Sequence, residues 1–396
     1  MFQFTSLPPL SLYIHLPWCV KKCPYCDFNS HALKSGGSDP LPEDLYIDAL
    51  IADLELDLPR VWGRPVQSVF FGGGTPSLFS PAAIDRLLGA VRARLPLRPD
   101  AEITLEANPG TVELARFQGY RAAGVNRLSI GIQSFNPDHL RALGRVHGRD
   151  EALRAATAAR AAGFDNFNLD LMFGLPNQTV DEAHADLQCA LDLAPTHLSL
   201  YQLTIEPNTL FHAQPPSLPD DEHVWEIQST LQAMTAAAGF QHYEISAYAR
   251  AGLSAQHNLN YWRFGDYLGI GAGAHAKITD ARGITRLWKT KQPAEYMRTA
   301  GSTQAIAGVQ ALTRQDAAFD FMLNALRLSA GFEPALFQER TGQPLSLVED
   351  ALQQAEAKGL LERRPDRILP TEMGLRFLND LQCLFLPATG PRSQPR

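Results

Sequence analysis

The sequence predicts an α/β fold, in the form of a partial (β/α)6 barrel carrying a smaller C-terminal α+β domain. Three observations predict it. Short β-like runs alternate with amphipathic helical runs through the first half, six such strands can be counted, and a polar or glycine-rich group follows the end of each. The strand runs are 11–16 (SLYIHL), 66–71 (VQSVFF), 102–107 (EITLEA), 127–132 (RLSIGI), 166–171 (NFNLDL) and 197–202 (HLSLYQ). Helical patterns lie between them near 43–57, 81–94, 111–123, 150–162 and 179–193. After the strands come, in order, a cysteine cluster, Gly72-Gly73-Gly74-Thr75, Glu106 with Asn108, and Gln133, while Asp170 and Gln202 lie in the last two. A barrel brings every strand end to one mouth, whereas an open sheet gathers only those beside its switch point.

A helix at 220–238 and a strand-like run at 241–248 follow, then a mixed, glycine-containing stretch over 249–300. From about 313 the pattern changes to helices at 313–328, 333–340 and 346–358, a hairpin-like LLERRPDRILP and a last helix near 371–382. Three helices with a small β-wing resemble a winged-helix module. The expected division is 1–240 for the barrel, 241–310 for a connecting segment, 311–384 for the winged-helix-like domain and 385–396 for a tail of disordered composition.

The 396 residues are 45% apolar and 19% charged, with a formal net charge of −7. That suffices for a large core, and the lack of a Lys/Arg run argues against nucleic-acid binding. No stretch has the length and apolarity of a bilayer span, and the first residues lack a basic region and a cleavage site, so a cytoplasmic protein is expected.

Three of the five cysteines fall within eight residues, as Cys19-Val-Lys-Lys-Cys23-Pro-Tyr-Cys26, in a loop just after the first strand. Clustered cysteines outside a secreted context read as metal ligands. Thiolates hold iron–sulfur cubes, and three of them leave one iron of a [4Fe–4S] cluster open to chelate S-adenosylmethionine (SAM). The alternative, a zinc site, wants four ligands; Cys189 and Cys383 stand alone, and His15 would be a strained fourth. Gly72, Gly73 and Gly74 allow close backbone approach, and their amides are expected to meet the amino-acid end of SAM.

With these residues the chain resembles the radical SAM superfamily, in its coproporphyrinogen-dehydrogenase-like branch. The resemblance is carried by Tyr13-Ile-His-Leu-Pro-Trp-Cys19, the cysteine array, Phe71-Gly-Gly-Gly-Thr-Pro76, Gln133-Ser-Phe-Asn136 and Asp170-Leu-Met-Phe-Gly-Leu-Pro176, together with the C-terminal module. It implies a radical SAM barrel in which Cys19, Cys23 and Cys26 hold the cluster. It also implies that Tyr13, Tyr25, Gly73, Gly74, Thr75, Glu106, Gln133, Arg145 and Asp170 surround SAM.

Two functions stay open within that branch. One is oxygen-independent coproporphyrinogen III dehydrogenase, a radical decarboxylase of heme biosynthesis. The other is a heme chaperone, which binds finished heme and passes it to an acceptor hemoprotein. The enzyme carries a further cysteine two residues after the third ligand, where this chain has Phe28, and a longer segment before its cluster. His257-Asn258-Leu259-Asn260-Tyr261-Trp262 resembles the HNxxYW signature of the chaperones, with His257 as the expected heme ligand beside two aromatic faces. A homodimer and peripheral contact with the membrane, where a respiratory acceptor would sit, are further expectations of the chaperone reading.

Overall fold

The computed structural model describes residues 2–33, 41–110 and 114–387. Twelve strands form one sheet: β1 (Leu10–Leu16), β2 (Val66–Gly73), β3 (Leu97–Ala107), β4 (Arg127–Gln133), β5 (Phe167–Phe173), β6 (His197–Gln202), β7 (Gln241–Glu244), β8 (Ala247–Ala249), β9 (Asp266–Ile270), β10 (His275–Asp280), β11 (Gly283–Lys289) and β12 (Ile306–Ala311). Their spatial order is β12-β11-β10-β9-β1-β2-β3-β4-β5-β6-β8-β7. β1 to β6 run parallel in sequence order, which is the six-stranded partial barrel that the alternation predicts. These strands are buried almost throughout, as in LSLYIHL of β1 and FNLDLMF of β5, because helices cover one face and the barrel interior the other.

The covering helices are α1 (Glu43–Asp57), α2 (Pro81–Arg94), α3 (Leu114–Ala123), α4 (Arg149–Ala161), α5 (Val180–Asp192) and α6 (Asp221–Ala237). Their starts are chemically marked. Ser80 accepts from the Ala83 amide with Pro81 at the first turn, and Thr179 and Glu182 form a reciprocal capping box. Ile84, Leu87, Leu88 and Val91 on α2 bury one stripe against the sheet. Residues 111–113, the expected start of α3, lie outside the described residues.

The stretch 241–310 differs from the connector expected. It supplies six strands to the sheet: β7 and β8 beyond β6, and β9 parallel to β1 followed by the antiparallel β10, β11 and β12. Buried ion pairs fasten it. Lys289 Nζ on β11 lies 2.5 Å from Asp53 and 2.6 Å from Asp57 of α1, all three fully buried. Lys277 and Arg64 both meet Asp266, each at 2.9 Å. Alternating apolar strands were hard to read here because glycines and these buried charges interrupt the pattern.

Helices Arg314–Ala325, Pro334–Thr341 and Glu349–Ala357, with the hairpin Leu361–Arg363/Ile368–Pro370, enclose a second core around Phe321, Phe337 and Leu352. This is the winged-helix-like domain expected. Phe2 and Phe4 pack against that core, and the Gln3 amide donates to the Gly342 carbonyl. Of the tail expected over 385–396, residues 388–396 lie outside the described residues. No helix among the described residues is long and apolar enough to cross a membrane.

Candidate cofactor and ligand site

The loop between β1 and α1 carries the three cysteines. A short parallel ladder, Trp18–Cys19 with His31–Ala32, closes it, and the Cys26 amide bonds the Cys23 carbonyl within. Side chains from outside the loop reach the sulfurs, one just after β2 and one after the short helix Pro137–Ala142. Thr75 Oγ1 donates to Cys19 Sγ at 3.6 Å and Arg145 Nη1 to Cys23 Sγ at 3.7 Å. Such donors favour the thiolate form that a cluster takes. No three His, Cys, Asp or Glu side chains among the described residues converge tightly enough for one metal ion.

The three cysteines line a cavity of about 490 Å³ at the mouth of the barrel. Its walls hold Tyr25, Gly73, Gly74, Thr75, Glu106, Gln133, Arg145 and Asp170, so eight of the nine expected SAM residues meet there. Tyr13 faces an adjoining cavity that shares Gly73 and Glu106 with the first. Arg145 is fixed by Asn108 Oδ1 (2.5 Å) and the Gly131 carbonyl (2.8 Å). Enclosure holds the Tyr25 phenol well above its ordinary range, so it stays neutral.

The glycine run works differently from the expectation. The Gly73 amide donates to Glu106 Oε2 (3.2 Å) and the Gly74 amide to the Leu16 carbonyl (2.8 Å), so these amides are already engaged. What the run supplies is proximity. A Cβ on Gly74 would sit 2.5 Å from the Trp18 carbonyl oxygen, and Gly73 takes φ +117° with its missing Cβ 2.5 Å from the His15 ring.

Glu106 and Asp170 project into the cavity together. Enclosure, then the Asp170 charge, push Glu106 up to about 8, with the Gly73 amide opposing. Asp170 is also raised by enclosure, against hydrogen bonds from Asn168 (2.7 Å) and Ser129 (3.1 Å). Neither carboxylate has an ammonium partner among the described residues. A ligand bearing an ammonium and a sulfonium fits such a site, and the donor set therefore suits SAM on a cluster.

The interior floor adds residues not singled out from the sequence, Arg127, Asn168 and His197, together with Asn258 of the HNxxYW motif. Arg127 is 3% exposed, and its Nε has no hydrogen bond. The readable signal was the period of two. Arg127, Ser129, Gly131 and Gln133 share one face of β4, as Asn168 and Asp170 do on β5.

His257 lies in the first turn of the short helix α7 (Gln256–Trp262), whose first two amides donate to Glu102 (3.0 Å each). It is 2% exposed. Nδ1 pairs with Ser68 Oγ and Nε2 with Tyr261 OH, both at 3.0 Å, and the ring stacks on Phe70 with centroids 5.0 Å apart. Burial pushes it down to about 3, so it is neutral. As placed, His257 offers no free lone pair to heme iron; ligation would require giving up Ser68 or Tyr261. His15 is likewise engaged on both nitrogens, by Tyr13 OH and the Asn29 carbonyl.

Comparison with known proteins follows this geometry. Residues 13–190 match the radical SAM superfamily and residues 312–377 the HemN C-terminal domain. The chain is 52% identical over 382 residues to the heme chaperone HemW of Escherichia coli, covering 96% of this chain and 99% of that one. It is 32% identical to heme chaperone HemW of Bacillus subtilis, over 95% and 99% of the two chains. Among solved structures it resembles coproporphyrinogen III oxidase (HemN) of Escherichia coli, at 26% identity and a TM-score of 0.80, covering 96% of this chain and 90% of that one. The chain therefore belongs to the radical SAM superfamily, in the family of the HemW-type heme chaperones.

Proposed function

We propose that this chain is a cytoplasmic heme chaperone: it binds heme and delivers it to an acceptor hemoprotein while carrying a [4Fe–4S] cluster with SAM on the open iron. The observation that carries the reading is the end-to-end identity with relatives named as heme chaperones. Phe28, where the related decarboxylase has a cysteine, agrees with it.

Cys19, Cys23 and Cys26 would hold the cluster. Gly73, Gly74 and Thr75 would let SAM lie against the backbone, and Glu106 and Asp170 would receive its positive groups. When bound and reduced, this pair supplies a carbon-centred radical. Tyr25, Arg145 and Gln133 complete the lining, with Gln133 and Arg145 both beside Gly131. The HNxxYW motif contributes Asn258 to the cluster cavity and Tyr261 to the adjoining one, with Tyr13 between them and His257 held behind.

Anaerobically reconstituted chain should bind hemin with a shifted Soret band and surrender it to an apo-hemoprotein. Incubated with SAM, reductant and coproporphyrinogen III it should yield no protoporphyrinogen. Production of protoporphyrinogen would replace this reading with the decarboxylase.

A further inference from the structure

Asp170 is backed by a line of side chains that starts on β5 and ends on β7. Asn168 lies on the same face of β5, two residues before it. His197 opens β6 in register with Asn168, and both are 1% exposed. The next strand, β8, carries alanine on that face, Ala249 opposite His197 and Ala247 opposite Ser199. The Tyr243 phenol of β7 reaches across these small side chains to the His197 ring, with centroids 5.6 Å apart.

Hydrogen bonds run along this line without a gap. Asn168 Nδ2 meets Asp170 Oδ1 at 2.7 Å, and Asn168 Oδ1 meets His197 Nδ1 at 2.7 Å. His197 Nε2 meets Tyr243 OH at 2.8 Å, and the Ala255 amide donates to that same hydroxyl at 3.3 Å. Ala255 is the residue that caps α7.

The chemistry of the groups sets the direction of every bond. As the carboxylate that SAM requires, Asp170 only accepts, so Asn168 turns its NH2 toward Asp170 and its oxygen toward His197. Burial, with the Arg127 charge second, holds His197 well below its usual range, so the ring is neutral with one proton. That proton lies on Nδ1, facing the Asn168 oxygen, and Nε2 is left to accept. Burial also keeps the Tyr243 phenol protonated, and it donates to Nε2. Each hydrogen in the line therefore points toward Asp170.

We propose that His197 and Tyr243 are positioning residues for SAM: acting through Asn168, they hold Asp170 as an oriented carboxylate for the cationic end of the ligand. A flipped Asn168 would set its oxygen against Asp170. Without the Nδ1 hydrogen only the Ser199 hydroxyl, 3.1 Å from Asn168 Oδ1, opposes that flip from the β6 side. This rests on the SAM reading of the first cavity and deepens it.

The test reads SAM affinity of the full, cluster-loaded chain by equilibrium dialysis, with melting temperature alongside. His197→Asn puts an amide NH2 where Nδ1 lies and should bind SAM within about threefold of the unmodified chain. His197→Gln reaches Tyr243 but not Asn168, and should bind about tenfold more weakly, as for one lost hydrogen bond in a line ending on a charge. His197→Leu should match His197→Gln. In nitrogen NMR of histidine-labelled chain the His197 proton should lie on Nδ1, and Tyr243→Phe should move part of it to Nε2. A purely structural ring would make affinity follow melting temperature, with His197→Asn, which leaves the largest void, as the weakest binder. That order, or an unmodified chain with its proton on Nε2, would overturn the assignment and leave the SAM reading standing. The comparison of Asn with Gln decides the matter even if His197→Leu does not fold. An unmodified chain that takes up no SAM would overturn the SAM reading, and this assignment with it.

Discussion

Two pairs of enclosed acids, one on α1 and one on β3 and β5, are finished in different ways. Asp53 and Asp57 on α1 share the Lys289 ammonium, and Tyr296 OH (2.8 Å) and the Gly271 amide (3.2 Å) complete Asp53. Glu106 and Asp170 share a cavity and have no ammonium. The first pair is finished within the chain and locks β11 to α1. The second is left to be finished by something that enters. Enclosed carboxylates need a partner or a proton; Asp170 has Asn168, Ser129 and the nearby Arg127 charge, and Glu106 has the Gly73 amide, so a cationic group entering the cavity would add the direct ion pair that neither has within it.

The contrast breaks most visibly at Lys289. Lys289→Met removes the cation shared by two buried acids, leaving Asp53 without one and Asp57 with only Arg60 at 3.0 Å, and urea unfolding should show a loss of about 3–5 kcal/mol. A neutral effect would mean the pair is not held by charge. Glu106→Gln should do the opposite: the ligand-free chain keeps or gains stability, while SAM affinity of the cluster-loaded chain falls about 10- to 100-fold, as for loss of one charged hydrogen bond. Equal SAM affinity by equilibrium dialysis would remove Glu106 from the site.

The pH dependence sharpens the same point. Because the folded chain holds Glu106 near 8 rather than its ordinary 4.5, the folded state binds the extra proton between those values. Ligand-free stability should therefore decline as pH rises from about 4.5 to about 8. Glu106→Gln, or saturating SAM, should flatten that slope, and an unchanged slope in melting-temperature profiles would refute the assignment. Gly74→Ala forces a Cβ against the Trp18 carbonyl and should cost about 1–3 kcal/mol while displacing the cysteine loop, seen as reduced iron content after reconstitution. The smallest effect is expected from Thr75→Val. It removes one donor to Cys19 sulfur and should lower the cluster's reduction potential slightly in voltammetry, without loss of iron.

The parallel strands and their helices were legible because their apolar runs are continuous and their helix starts carry Ser, Thr and Asp caps. The cluster cavity was legible for a related reason: a barrel delivers strand-end residues to one mouth. The adjoining cavity was not, because it joins β1, near the start of the chain, to α7 and the β9–β10 turn far along it. His257 illustrates a second limit. A histidine beside two aromatics has the composition of a ligand, but whether its nitrogens are free depends on Ser68 and Tyr261, and only packing reveals that.

Asn29 ties these regions together. Its amide nitrogen donates to the Ala272 and Lys291 carbonyls at 2.9 Å, and its oxygen meets His31 Nε2 at 3.1 Å. The segment bearing the thiols is thus riveted to the far rim, and Gly73 serves as party wall between two tenants. An engineer wishing to remodel one chamber alone would have to leave that rivet and that wall untouched and change only lining that the two do not share, such as Arg145 on one side or Tyr267 on the other.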